Sequence, residues 1–354
     1  MTILVTGASG HLGANLVRRL LEDGHSVRVI LREGSNKTAI APLDVECVYG
    51  DLRDFASTVA AVKGCDRIYH CAAKISTLDG DARFKQEIYD CNVKGTIHVL
   101  RAALDADVSK VVVSGSLSAV GHHPSRPSDE TMPFYPFAQH LPYELTKTLA
   151  EHECLKAFAD GLDVVVAVSC AILGPNDFKP SRMGRTLLDF AHGKLLAYIP
   201  GGFDFVAARD IVEGHILAME KGRGGQKYIF STQFLTVDEL IKIFEEVTGM
   251  PRPKLRLPIA VMAGIASVAD FVFPRFFPNA PRRFTSGAVR HLRMNRRADI
   301  SKAKNELGYQ PTSVKQAIYE AYEDFARRGL IARPNNITFT VPEKNYRQQQ
   351  IKTK

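Results

Sequence analysis

Residues 6–13 read Thr-Gly-Ala-Ser-Gly-His-Leu-Gly, a glycine-rich stretch between an apolar run and an amphipathic run. The preceding segment, Thr2–Val5, is short and apolar, which predicts a buried strand. From His11 to Asp23 apolar residues recur at helical spacing, which predicts a helix with one buried face. The glycines therefore fall in a turn from a strand to a helix.

Each glycine of this turn has a use in dinucleotide binding. Gly7 suits the tight turn, Gly10 lets the backbone approach phosphates, and Gly13 lets the helix pack close to the strand. The helix N-terminus adds free N–H groups and about half a positive charge, which favours a pyrophosphate. The predicted contacts of this turn are Gly7, Ser9, Gly10, His11, Leu12 and Gly13.

The end of the second predicted strand, Ser26–Leu31, indicates the cofactor. Enzymes that select NAD usually place an acidic residue there to bind the ribose 2′-hydroxyl. Here Arg32 follows the strand, and Lys37 lies nearby. An arginine can pair with a 2′-phosphate through its planar fork, so the sequence predicts NADP(H).

Strands and helices alternate through the first half of the chain, which indicates βαβ units and a parallel sheet covered on both faces. Proline and glycine interrupt the second half more often. We therefore predict an α/β fold, a doubly wound (Rossmann) parallel sheet with a smaller, mostly helical C-terminal substrate lobe. The expected domains are a dinucleotide-binding domain over 1–168 and about 205–231, a substrate lobe over 169–204 and 232–332, and a polar tail over 333–354.

Ligands of such sheets bind beyond the carboxyl ends of the strands. We expect further cofactor contacts there from Asp51, Leu52, Cys71, Ala72, Ala73, Ser114, Cys170 and Ile172. The predicted strands that lead to this edge are Val45–Tyr49, Arg67–His70, Lys110–Val113, Asp163–Val168 and Lys227–Ser231. The predicted helices are Phe55–Val62, Asp81–Leu104, Ala298–Leu307 and Ser313–Arg328.

Tyr143 and Lys147 stand four residues apart on a predicted helix and so share one face. A carbonyl that accepts hydride at carbon must gain a proton at oxygen, and a free tyrosine has a pKa of about 10, poorly matched to neutral pH. A nearby ammonium favours the phenolate and lowers that pKa. Ser114, Ser116 and Ser118 are candidates to hold the substrate oxygen, and we choose Ser116. Tyr143 and Lys147 are also expected to contact the cofactor.

Composition excludes several classes of protein. The net charge of +8 is dispersed over 354 residues, and no nucleic-acid-binding motif is present. Six scattered cysteines without a Cys-x-x-Cys pair predict neither a disulfide framework nor a metal site, and no secretory signal is visible, so we expect a cytoplasmic protein. The apolar run Leu257–Pro274 is short and contains Asp270, which predicts a buried or substrate-lining helix and no membrane span; peripheral contact with a membrane stays open.

Several motifs together resemble the extended short-chain dehydrogenase/reductase family. They span about residues 1–330 and are the 6–13 turn, Gly50-Asp-Leu52, His70-Cys-Ala-Ala73, Asn92-Val-Lys-Gly-Thr96, Ser114-Gly-Ser116, Tyr143 with Lys147, Gly174-Pro175 and Glu306-Leu-Gly-Tyr-Gln-Pro311. The stretch from Phe205 to Ala218 resembles the dihydroflavonol-reductase and 3β-hydroxysteroid-dehydrogenase-like branch. The resemblance implies Ser116, Tyr143 and Lys147 as the catalytic triad, and a homodimer formed through helices at 81–104 and 143–158.

The predicted activity is interconversion of a ketone and a secondary alcohol on a hydrophobic small molecule, with NADP(H) and with Tyr143 as general acid and base. One alternative is a nucleotide-sugar epimerase or dehydratase with bound NAD(P). Such epimerases and dehydratases usually have an Arg-aromatic-aromatic-Asn stretch, and this chain has Val168-Ser-Cys-Ala171 instead. The replacement weakens the assignment to that class. Another is a non-catalytic dinucleotide-sensing protein, which need not keep the triad.

The substrate pocket distinguishes the first two activities. We expect an apolar wall from Met132, Phe134, Tyr135, Phe137, Phe178, Met183, Phe203 and the apolar helix near 259–272. The competing feature is a run of arginines that could clamp a diphosphate, namely Arg282, Arg283, Arg290, Arg293, Arg296 and Arg297.

Overall fold

The computed structural model describes residues 1–135, 137, 141–262, 264–266 and 285–331. Seven parallel strands make a central sheet in the order β10-β6-β5-β4-β1-β2-β3. In chain order the strands are β1 Thr2–Thr6, β2 Ser26–Leu31, β3 Glu46–Tyr49, β4 Arg67–His70, β5 Lys110–Ser116, β6 Val164–Ser169, β7 Ala171–Leu173, β8 Ala197–Tyr198, β9 Gly202–Ala207, β10 Lys227–Phe230, β11 Gln233–Thr236 and β12 Leu255–Arg256.

Helices cover both faces of this sheet. They are α1 His11–Glu22, α2 Phe55–Val62, α3 Ala82–Tyr89, α4 Gly95–Asp105, α5 Pro142–Ala159, α6 Arg182–Ala191, α7 Ala208–Lys221 and α8 Val237–Thr248, followed by the helices Ser286–Met294 and Val314–Arg327. Neighbouring strand residues pack on opposite faces: Ile3 and Val5 join a core under α1 and α7, whereas Leu4 joins a core under α2 and α4. The predicted doubly wound fold is confirmed.

A second sheet and a third core belong to the C-terminal half. Strand β9 pairs in parallel with β7 and antiparallel with β11. Their apolar residues pack with α6, α8 and the helix Val314–Arg327 around Phe205, Phe244 and Phe325. The substrate lobe therefore contains strands as well as helices. Helix α7 returns to pack against α1, and β10 completes the edge of the main sheet.

Two predicted helices have different bounds in the structure. The region 81–104 is continuous, but its middle, Asp90–Lys94, is a π-helical turn between α3 and α4. The helix predicted from Ala298 begins at Ser301. Ala298 is extended instead because it bridges to Ser128 and donates its N–H to the Asp204 carboxylate at 2.6 Å. A tertiary partner thus overrides the local helical pattern.

The apolar run at 257–274 is described only in part. Residues 259–262 and 264–266 are helical, and Met262 and Ala266 pack against Ile199 and Val289. The remainder of that run, with Arg282, Arg283 and the tail 333–354, lies outside the described residues. In the part of the chain that the structure describes, no helix combines the length and the apolar character needed to cross a membrane.

The glycine turn has the tight geometry expected of it. Gly7 has a φ of +71°, and a Cβ there would lie 2.7 Å from the Ala72 nitrogen. A Cβ on Gly13 would lie only 2.3 Å from the Gly7 carbonyl oxygen. The Gly10 N–H donates to that same oxygen at 2.9 Å. Glycine is therefore required at two of the three positions by backbone contact.

Replacing Gly13 tests this close packing. Gly13→Ala must push α1 away from the turn, so we expect a loss of about 1–3 kcal/mol in the free energy of unfolding, as for other overpacked sites. Urea denaturation measures it. The matched control is Gly264→Ala, where a Cβ meets none of the described atoms within 4 Å and a helical alanine should be neutral or stabilising. Equal effects of the two changes would contradict the close-packing argument.

Candidate active site

Helix α5 packs against β5 and β6. Pro142 occupies its first turn, where a missing N–H is tolerated. Glu144 accepts a hydrogen bond from the Leu141 N–H at 2.8 Å and so fixes the start of the helix. Tyr143 and Lys147 then follow one turn apart, with Tyr143 half-buried and Lys147 buried.

The Ser116 hydroxyl neighbours the Tyr143 phenol. Burial raises the pKa of Tyr143, and Ser116 opposes that rise. Ser116 ends β5 and also shares a 2.8 Å hydrogen bond with the Ser118 hydroxyl. Of the three candidate serines, Ser116 is thus the one that contacts Tyr143 and can help to hold a substrate oxygen.

Lys147 binds the backbone of β5. Its ammonium donates a 2.7 Å hydrogen bond to the Ser114 carbonyl. Burial lowers the pKa of Lys147, and the Glu151 carboxylate opposes the change. Lys147 in this state anchors α5 to β5.

The Ser114 side chain forms a hydrogen bond with a buried histidine, His215. His215 Nδ1 lies 2.7 Å from the Ile211 carbonyl, which can only accept, so Nδ1 carries the proton of the neutral ring. Nε2 must then accept from the Ser114 hydroxyl at 2.8 Å. Burial lowers the pKa of His215 to about 4. His215 thus joins α7 to β5 as a neutral ring.

A second buried histidine joins the cofactor turn to the π-helical turn. The Ala72 N–H donates to Thr6 Oγ1 at 3.2 Å, and Thr6 bonds to His70 Nδ1 at 2.8 Å. On the other side of the ring, His70 Nε2 lies 3.0 Å from Thr96 Oγ1, whose own proton goes to the Asn92 carbonyl at 2.7 Å. Because Thr96 donates onward, His70 Nε2 must be the donor. Burial lowers the pKa of His70 to about 3.

Asn92 extends this chain of hydrogen bonds to α5. Its amide exchanges two hydrogen bonds with the backbone of Lys74, at 2.7 and 3.1 Å. It also donates to Thr146 Oγ1 at 3.1 Å, and Thr146 donates to the Tyr143 carbonyl at 3.1 Å. The loop after β4 and the catalytic helix are thus held by one side chain.

Thr96→Val tests the chain of hydrogen bonds while preserving shape. The change leaves the buried His70 Nε2–H without an acceptor, which should cost about 1–3 kcal/mol in the free energy of unfolding. Urea denaturation measures the loss. Thr131→Val, the same change at an exposed threonine, is the control and should shift stability much less. If Thr96→Val and Thr131→Val lower the free energy of unfolding equally, the hydrogen bonds through Thr96 contribute nothing to stability.

The glycine turn fits a pyrophosphate. Gly10 caps α1 without any side-chain hydrogen bond, so a ligand can approach the first-turn N–H groups. His11 turns away and its Nε2 lies 3.0 Å from the Pro175 carbonyl, joined there by the Asn15 amide at 2.9 Å. The backbone N–H groups of the turn, and not its side chains, are therefore available to contact phosphates.

Cations gather where the adenosine end of a dinucleotide would lie. Arg32 is exposed after β2, and Lys37 donates to the Tyr49 hydroxyl. Asp51 is held by Arg53 at 2.6 Å, and this hydrogen bond holds the pKa of Asp51 below its usual value. The Leu52 carbonyl accepts from His98 at 2.7 Å. Among the described residues Arg32 makes no ion pair.

The other expected cofactor residues lie at the same edge of the sheet. Cys71 and Ala72 follow β4 and touch Gly7, and Ala73 is exposed next to them. Burial raises the pKa of Cys71 to about 11. Burial also raises the pKa of Cys170, which lies between β6 and β7. Ile172 is on β7, partly buried beside the main core.

The arginine run is largely engaged by protein groups. Arg290 and His291 both bind the Glu144 carboxylate, at 3.3 and 2.8 Å. Arg296 is buried and donates to the Gly121 carbonyl at 2.6 Å and to the Ser128 hydroxyl at 3.0 Å. Arg297 stacks 4.6 Å from the Phe234 ring. These contacts join the substrate lobe to α5 and to the loop after β5, and they disfavour a diphosphate clamp.

The expected apolar wall is only partly formed. Met132 is buried in the core below α4, so its assignment to the wall is wrong. Met183 and Phe203 pack into the core of the lobe, and Phe178 lies between the guanidinium groups of Arg18 and Arg328. Tyr135 and Phe137 remain 66% and 85% exposed ahead of α5.

A family model described as "NAD dependent epimerase/dehydratase family" matches residues 3–230. The chain belongs to this family. It is 45% identical over 94% of its length to the whole of Sterol demethylase protein B from Methylococcus capsulatus. It is 29% identical, over 88% of its length and 73% of the relative, to 3beta-hydroxysteroid-dehydrogenase/decarboxylase isoform 1 from Arabidopsis thaliana. The expected short-chain dehydrogenase/reductase membership and steroid-dehydrogenase-like branch are confirmed.

A solved structure supports the same assignment. The crystal structure of gox2253 superposes with a TM-score of 0.81 at 31% identity, over 93% of this chain and 99% of that chain. The similarity therefore includes the substrate lobe as well as the dinucleotide-binding half.

Proposed function

We propose that this protein is an NADP(H)-dependent oxidoreductase that interconverts a ketone and a secondary alcohol on a sterol-like, hydrophobic molecule. The observation that carries the proposal is that α5 is bound to the end of β5 by the 2.7 Å hydrogen bond from Lys147 to the Ser114 carbonyl, so that Tyr143, one turn before Lys147, neighbours Ser116, with the glycine turn on the same edge of the sheet. A proton donor, an oxygen-holding hydroxyl and a dinucleotide site thus share one edge of the sheet.

Each residue of the triad has a distinct task. Ser116 and Tyr143 hold the substrate oxygen from two sides, and Tyr143 gives or takes its proton. Lys147 keeps α5 at its distance from β5, and its charge favours the phenolate when the ammonium can approach it. A bound nicotinamide dinucleotide supplies or accepts hydride. The glycine turn would hold its pyrophosphate, and Arg32 and Lys37 would bind its 2′-phosphate.

The hydrophobic substrate is supported by two independent features. Relatives over most of the chain are named for sterol and steroid chemistry. Exposed aromatic side chains, Tyr135 and Phe137, precede the catalytic helix, and aromatic rings suit an apolar ring system. In a reductase each ketone reduced consumes one NADPH, whereas an epimerase or dehydratase with a retained cofactor shows no net consumption. NADPH absorbance with steroid ketones therefore separates the two activities.

Tyr143→Phe removes only the proton donor. We expect kcat for a steroid ketone or alcohol to fall about 10²–10⁴-fold, the contribution of positioned proton transfer, while NADPH affinity stays near that of the wild type. Tyr319→Phe, the same change on the distant helix Val314–Arg327, is the control and should keep its activity. Retention of most activity by Tyr143→Phe would show that another group transfers the proton.

Arg32→Ala tests the choice of cofactor. Loss of a hydrogen bond to a charged group should weaken NADPH binding by about 1.5–3 kcal/mol and leave NADH binding unchanged. Fluorescence titration with both cofactors measures this. Arg101→Ala removes an exposed arginine on α4 and is the control. It should change the binding of neither NADPH nor NADH. Equal losses for NADPH and NADH in Arg32→Ala would mean that Arg32 has a structural role.

We also propose a cytoplasmic homodimer. All six cysteines are unpaired, which suits a reducing compartment. Leu149, Leu155 and Phe158 of α5 are 41%, 52% and 46% exposed, and a second copy packed through α3, α4 and α5 would cover them. Sedimentation velocity reports the oligomeric state.

A further inference from the structure

A carboxylate follows Tyr143 and Lys147 on the same face of α5. Glu151 stands four residues after Lys147, as Lys147 stands four residues after Tyr143, so the three side chains form a row along the helix. The Glu151 side chain is 11% exposed, and its Oε2 accepts a hydrogen bond from the Lys227 ammonium of β10 at 3.2 Å. Its other oxygen, Oε1, is buried and has no hydrogen-bond partner among the described residues. Such burial is costly unless a nearby positive charge compensates it.

Lys147 has the complementary deficit. Its buried ammonium has three N–H donors, and among the described residues only the Ser114 carbonyl accepts one of them, at 2.7 Å. A carbonyl satisfies a donor but does not neutralise a charge. Burial lowers the pKa of Lys147, and of the groups that oppose this change Glu151 has the largest effect. The positive charge of Lys147 is therefore compensated chiefly from one turn further along its own helix.

The other titratable groups that act on Lys147 or respond to its charge are neutral at physiological pH. They are the thiols of Cys71, after β4, and Cys154, on α5, and the imidazoles of His70, on β4, and His215, on α7. Burial raises the pKa of both thiols and lowers the pKa of both imidazoles. Of the described groups that bear on Lys147, Glu151 is thus the one that can carry a negative charge.

The surroundings of Glu151 favour its ionised form in turn. Burial raises the pKa of Glu151, and Lys227, Lys147 and His152 oppose that rise. Lys227 and Lys147 lie on different elements, one on the edge strand β10 and the other on α5. The charges therefore alternate from ammonium to carboxylate to ammonium between the sheet edge and the active site.

We propose that Glu151 is a positioning residue of the active site, whose carboxylate compensates the buried charge of Lys147 from one helical turn away. Lys227 holds the carboxylate in place through its hydrogen bond to Oε2. A buried ammonium needs such a partner, because an isolated buried lysine loses its proton instead. The inference rests on the proposed oxidoreductase function, in which the charge of Lys147 favours the Tyr143 phenolate.

Glu151→Gln tests the assignment because it removes the charge and keeps the shape. The charge of Lys147 can be followed by NMR of the full chain labelled with ¹³C-lysine, in which the Cε shift reports the ammonium. The Lys147 signal is the one that is missing from Lys147→Met. We expect the pH at which Lys147 loses its proton to fall by about 1–2 pH units in Glu151→Gln, the effect of removing a nearby opposite charge.

The pH profile of alcohol oxidation gives a second readout. The alkaline limb of kcat, where Lys147 loses its charge, should move to lower pH in Glu151→Gln by the same amount. A merely structural role would lower kcat at every pH and leave this limb in place. Glu151→Asp keeps the charge and should behave more like the wild type than Glu151→Gln does.

The matched control is Glu153→Gln, the same change on the same helix. Glu153 pairs with the exposed Lys156 at 2.8 Å, so its loss should leave the titration of Lys147 and the pH profile unchanged. Thermal melting confirms that each variant is folded. The assignment is overturned if Lys147 titrates alike in the wild type and in Glu151→Gln, if Glu153→Gln moves the titration equally, or if Glu151→Asp moves it as far as Glu151→Gln.

The NMR titration needs no substrate, so its outcome is separate from that of the proposed activity. If Glu151→Gln shifts the titration of Lys147 and the wild type oxidises no hydroxysteroid with NADP+, Glu151 compensates Lys147 and the oxidoreductase function fails. If the wild type oxidises a hydroxysteroid and Glu151→Gln leaves the titration unchanged, the function stands and the role of Glu151 is refuted.

Discussion

The hydrogen bond from the Lys147 ammonium to the Ser114 carbonyl sets the distance between α5 and β5, and the chemistry of the cleft depends on that distance. Two residues further along the strand, Ser116 contacts the Tyr143 phenol. A phenol on one element and a hydroxyl on another can share a substrate oxygen only if the two elements are fixed. Because the bond is buried, its loss would leave a charge without a partner, which costs far more than the bond itself contributes.

Polar side chains buried under α4 and α5 link the glycine turn to α5 through hydrogen bonds. Hydrogen bonds run from Ala72 through His70 to Asn92, and each hydroxyl among them donates to the next acceptor. The donor of every bond in this chain is therefore determined. The π-helical turn at Asp90–Lys94 places Asn92 where its amide reaches Lys74 and Thr146. A regular α-helix would rotate Asn92 relative to Thr96 and break this arrangement.

The sheet, the glycine turn and the Tyr143–Lys147 pair could be predicted because their signals are local: alternation, glycine spacing and helical spacing. The roles of His70, Asn92 and Thr96 were not predicted, although the motifs containing them were noted. Apart from the bond between Thr96 and Asn92, their partners lie 18–64 residues away in the sequence, and no local pattern encodes them. A histidine and an asparagine within apolar segments were the available signal. The same reason explains why the arginine run left a diphosphate clamp open. The actual partners of Arg290 and Arg296 are Glu144 and the Gly121 carbonyl, which are distant in sequence.

Glu144 makes the geometry of the phenol depend on the substrate lobe. It follows Tyr143 directly, is 5% exposed, and binds His291 and Arg290 of the lobe helix Ser286–Met294. Burial alone would raise the pKa of Glu144, but these partners and the Leu141 N–H hold it below its usual value. The contribution of this carboxylate to stability is therefore present above its unfolded-state pKa and is lost as the pH falls through the lower folded-state pKa. Arg290 and His291 are 40% and 32% exposed, so solvent screens part of this attraction. The C-terminal lobe and α5 are thus coupled at the residue next to Tyr143, so the lobe cannot shift without displacing Tyr143.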